Sequence, residues 1–139
     1  MTLPAAIAIA DELRRELLAE IERAKAERGL LRTFDAQLIH ARLQEREEFL
    51  SRTQELERRL RAATDGAAAI SLDLSARLGE LRSLAGTLNE LTALNHQLAR
   101  RAAECARAYV QALTPKAAAY DRRGYSRAVA AGAGLSRRA

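Results

Sequence analysis

Apolar residues fall three and four positions apart along most of this chain, the spacing of a helix face. Leu13, Leu17, Leu18, Ile21 and Ala24 predict a first helix over residues 5–31, with Asp11 and Glu12 near its N-terminal end, where the helix dipole favours acids. Leu38, Ile39, Leu43, Phe49, Leu50, Leu56 and Leu60 trace a second stripe and predict a helix over 35–63. Thr33 and Asp35 offer capping side chains between the two. A break at 32–35 and one continuous helix are both open on this pattern. The next break is plainer: Thr64-Asp65-Gly66 ends the stripe, and Ser71 or Asp73 can cap a third helix.

That third helix, over 71–113, carries the most regular repeat: Leu74, Leu78, Leu81, Ala85, Leu88, Leu91 or Thr92, Asn95, Leu98, Ala102, Cys105, Tyr109 and Ala112. Steps of three and four sustained this long predict a coiled-coil-like seam. Gly79 and Gly86 interrupt it at a cost of roughly 1 kcal/mol each relative to alanine. The only prolines, Pro4 and Pro115, stand at the two ends of the helical region, where proline is tolerated. The fold class expected is therefore all-α: an elongated antiparallel three-helix bundle over residues 1–113, followed by a tail over 114–139. At ~1.5 Å per residue the third helix would run ~65 Å against ~42 Å for each of the others. The second helix would then pair with about 71–98, and 99–113 would overhang with an apolar face needing cover.

Composition sharpens this picture. With 48% hydrophobic residues but only 4% aromatic and no Trp, the core must be mostly leucine and alanine. One cysteine, Cys105, excludes an internal disulfide and fits a reducing compartment. No apolar run is long enough to span a bilayer, and Leu3 to Ala10 lacks a preceding basic residue and runs into Asp11, Glu12 and Arg14, unlike a signal peptide. A cytoplasmic protein without membrane insertion is expected. Residues 114–139 hold six basic residues and one acid, which accounts for the whole net charge of +5 and leaves a neutral body. Glycines and the lack of an apolar stripe predict a flexible tail.

Candidate chemistry is sparse. His40 and His96 fall on separate predicted helices without metal-ligand spacing, and there is no glycine-rich phosphate loop, so neither an enzyme nor a metal or cofactor site is expected. The many Asp and Glu residues read as solvated helix faces. Cys105, at a seam position, reads most simply as a small buried apolar residue. Asn95 either fixes register as a buried amide or marks a solvent-accessible stretch of seam. Tyr109, Tyr120 and Tyr125 cluster near the end of the third helix in a chain otherwise poor in aromatics, and tyrosine is favoured at interfaces.

Several of these segments resemble the FlgN-type flagellar export chaperones. The similarity lies in Glu27 with Leu30-Leu31 and Asp35, in Glu45-Arg46-Glu47-Glu48-Phe49-Leu50, and above all in the run from Leu88 to Leu98, followed by Tyr120 and Gly124. The family has two asparagines three apart in the third helix; Asn95 matches the second, and Thr92 stands at the first. The resemblance implies a chaperone that holds hook-associated proteins of the hook-filament junction before secretion and delivers them to the type III export gate, with no cofactor. Physically, a client's amphipathic helix could lie along Asn95, Leu98, Ala102, Cys105, Ala106, Tyr109, Ala112 and Leu113. Tyr120, Arg122, Arg123 and Arg127 would contact the export apparatus. A self-associating coiled-coil scaffold is the alternative, and a homodimer without client is open. Nucleic acid is not expected as a partner, because the basic residues are few and no reader fold accompanies them.

Overall fold

The computed structural model describes residues 3–66 and 69–114. They form three helices, α1 (Leu3–Thr33), α2 (Ala36–Thr64) and α3 (Leu72–Leu113). The helix ends arise from local chemistry. Phe34 takes a left-handed φ of 53°, a conformation that a side chain disfavours by about 1–2 kcal/mol and that ends α1. Asp35 then caps α2, its Oδ1 accepting from the amides of Gln37 at 3.0 Å and Leu38 at 3.2 Å. The chain is thus broken at 34–35, not continuous. At the other end of α2, the amide of Asp65 donates to the Arg61 carbonyl at 2.8 Å and Gly66 comes next at φ 76°. Ser71 Oγ accepts from the Leu74 amide at 3.2 Å and starts α3.

The chain divides into two units, Met1–Leu98 and Ala99–Ala139, whereas the sequence pattern suggested one boundary at 113. In the first unit, contacts fix the direction of each helix. Asp11 pairs with Arg77, Arg14 with Glu80 at 2.6 Å, and the Ala24 carbonyl with Asn95 at 2.8 Å, so α3 runs parallel to α1. Glu16 pairs with Arg52 at 3.1 Å and Glu27 with Arg42 at 2.8 Å, so α2 runs antiparallel to α1. The result is an up-down-up bundle.

Its core joins Ala6, Ile9, Ala10, Leu13 and Leu17 of α1 to Phe49, Leu56 and Leu60 of α2 and to Leu74 and Leu81 of α3. Small alanines on α1 permit close approach of a neighbouring helix, as α2 makes, and leucines fill the space between. The seam expected on α3 is present: Leu74, Leu81 and Asn95 are buried, and Leu78, Ala85, Leu88, Leu91 and Leu98 are half-buried. The stripe expected on α2 needs correction. Leu38, Leu43 and Leu50 are each nearly half exposed, because the inward face runs through Arg42, Phe49, Thr53, Leu56 and Leu60 instead. Among the described residues no helix is long and apolar enough to cross a membrane.

Candidate functional site

The inward positions of α1 and α2 carry charge at one end of the hairpin. Steps of four and three from Ala6 through Ala10, Leu13 and Leu17 arrive at Glu20, Ala24 and Glu27; the same steps back from Leu60 arrive at Arg46 and Arg42. Glu20 is 2% exposed and Arg42 5%. The Arg42 guanidinium donates from Nη2 to Glu20 Oε1 at 2.6 Å and from Nε to Glu27 Oε1 at 2.8 Å. Arg46 shares the same Glu27 oxygen, and Arg23 Nε donates to Glu20 Oε2 at 2.8 Å. Burial disfavours the charge on Arg42, but hydrogen bonds and attraction from Glu20 and then Glu27 outweigh it and hold the guanidinium above its ordinary pKa. Both carboxylates are thereby engaged by guanidinium groups, an arrangement suited to fixing the register of the two helices.

These acids are not the solvated face that the sequence suggested. Counting only leucines conceals them; carrying the four-three count through charged residues finds Glu20 and Glu27 on α1 and Arg46 and Arg42 on α2. Thr53 escapes the same way, its hydroxyl turned back onto the Phe49 carbonyl at 2.8 Å, which lets it sit buried in the seam.

Asn95 resolves as a buried amide, 1% exposed, with Nδ2 donating across to α1 at the Ala24 carbonyl and Oδ1 buried without a partner. It ties α3 to α1 and offers no surface to a client. Leu98 is half-buried at the end of the first unit.

The second unit begins with the last four turns of α3. Ala102 is half-buried there, and Cys105, Ala106, Tyr109, Ala112 and Leu113 are exposed. Cys105 is therefore not the buried residue expected from its seam position. Tyr109 is 67% exposed, Val110 54% and Leu113 62%. Ala102, Ala106, Tyr109 and Leu113 recur in steps of four, three and four, which places them on one helix face. Small residues at its start and large apolar residues at its end suit close packing of another helix. Tyr120, Arg122, Arg123 and Arg127 lie outside the described residues.

One feature of the first unit has no counterpart in the sequence pattern: an open cleft of about 790 Å³. Leu13 and Leu17 of α1, Phe49 and Leu60 of α2, and Leu78 and Leu88 of α3 line it. Its charged lining comprises Arg46, Glu57 and Arg61 from α2, Arg82 from α3, and the buried, paired Glu20. A periodic stripe shows that a helix has an inward face; it does not show whether three such faces close upon one another. Among the described residues no group of three or more His, Cys, Asp or Glu gathers to hold a metal. Compared with models of protein families, with curated proteins and with solved structures, the chain matches none.

Proposed function

We propose that this chain is an export chaperone of the flagellar type III system, holding hook-associated proteins before secretion through the exposed apolar face of residues 102–113. The observation that carries this reading is that face itself: a four-three repeat continuing that of the buried seam, with Tyr109 and Leu113 both more than 60% exposed. Such a face is unfavourable in water and is covered by an amphipathic helix of a partner, replacing water on both. A secreted subunit that buries its terminal helix only on assembly supplies a partner of that kind. The segment similarity around Glu27, Glu45 to Leu50 and Leu88 to Leu98 supports the choice of client, and the basic residues beyond Pro115 support delivery through Tyr120, Arg122, Arg123 and Arg127.

The reading is tested by titrating purified hook-associated protein into the full chain and into Tyr109→Asp and Leu113→Asp. Each substitution puts a charge where the free protein exposes the side chain, so circular dichroism should be unchanged while affinity falls by about tenfold or more. Equal affinity in both variants, or no binding by the parent, rejects the reading. Sedimentation of the chain alone separates the self-associating scaffold, which would form a stable symmetric oligomer without client.

A further inference from the structure

We infer that the cleft of the first unit is a second docking surface, built for an amphipathic helix with acidic flanks from another protein. The cleft is lined only by residues within 13–92, and the inference does not rest on the export reading.

The dimensions point to a helix. The lining extends from Arg46 to Thr64 on α2 and from Leu78 to Thr92 on α3, which at ~1.5 Å per residue is about 27 Å and 21 Å. A trough of that length between two helices, with Leu13 and Leu17 of a third in its lining, matches four to five turns of a fourth helix better than a compact small molecule. An incoming row of leucines would meet the half-exposed Leu50, Leu78 and Leu88 above a floor of buried Phe49 and Leu60, completing a four-helix bundle.

Charge selects the occupant. Arg46, Arg61 and Arg82 face one exposed acid, Glu57. Arg82 is in no ion pair among the described residues, and Arg61 approaches Glu57 only to 3.8 Å. Two guanidinium groups are thus available to carboxylates of an incoming helix. This chain's own residues beyond the first unit have the wrong sign. Residues 99–113 carry Arg100, Arg101 and Arg107 against Glu104, and residues 114–139 carry a net +5. Neither a second copy's helix end nor the chain's own tail complements a basic rim, since like charges brought together oppose docking. The partner is therefore a different protein.

The test uses the full chain and two synthetic helical peptides of about eighteen residues, identical in a leucine face of four-three spacing, one flanked by glutamates and the other by lysines. Fluorescence anisotropy measures affinity, and amide chemical shifts locate the site. The glutamate peptide should saturate, shift residues of 49–60 and 78–92, and bind about tenfold tighter than its lysine twin. The double variant Arg61→Glu/Arg82→Glu, altered only at exposed side chains, should invert that order. The proposal is overturned if the glutamate peptide does not saturate, if the shifts centre elsewhere, if charge reversal leaves the order unchanged, or if the cleft proves occupied by a second copy of the chain.

Discussion

The two stretches of α3 carry one repeat and meet opposite fates. From Leu74 to Asn95 the positions three and four apart are buried or half-buried against α1 and α2; from Cys105 to Leu113 the same spacing leaves every residue exposed. Sequence periodicity declares that a helix has an apolar face, whereas coverage depends on which other elements are within reach. In the first stretch that face stabilises the fold. In the second it is surface whose burial, at about 1.5–3 kcal/mol for each fully buried large side chain, is open to a partner. A mutation should thus cost stability in one stretch and binding in the other.

The largest effect belongs on the covered side. Arg42→Ala leaves Glu20 and Glu27 buried without their shared partner, and should destabilise the chain by about 3–5 kcal/mol in urea unfolding. A smaller loss would mean that Arg23 and Arg46 suffice for both carboxylates. Next comes Leu74→Ala. Its side chain is 2% exposed, so the vacated space cannot be filled by water-facing neighbours, and a loss of about 2–5 kcal/mol is expected from the same measurement.

Asn95→Leu should change stability by no more than about 1 kcal/mol. The hydrogen bond to Ala24 is lost, but so is the penalty of the buried, unpaired Oδ1, and leucine extends the apolar seam. Thermal melts give the sign, and sedimentation shows whether the loss of this polar tie promotes self-association. The smallest effect is expected for Tyr109→Ala, within about 0.5 kcal/mol, because its ring is exposed in the free chain. A large loss there would break the contrast between the two stretches.

Helices and candidate caps were legible in the sequence because their signals are local, although the break at 34–35 stood open there against one continuous helix. Asp35 and Ser71 announce their helix starts by residue type, and the α3 stripe appears in leucines alone. The face of α2 was harder to read, since Arg42 and Thr53 take seam positions while Leu38, Leu43 and Leu50 face outward. A buried arginine is invisible until its carboxylates on α1 are brought opposite it, which is a property of the pairing and not of either helix. The cleft was unreadable for the same reason. The uncovered face of 102–113 could be anticipated as an apolar repeat longer than its neighbours, though Asn95 proved to belong to the core and Cys105 to the surface.

Hydrogen exchange of the full chain, with and without purified hook-associated protein, tests most directly whether 102–113 is the client's docking face. Few buried contacts predict fast exchange across 102–113 in the free chain and slow exchange across 74–95. Addition of client should slow exchange in 102–113 by about tenfold or more, in step with occupancy. Unchanged exchange in 102–113 at saturating client, or protection as strong as that of 74–95 before any client is added, would contradict it.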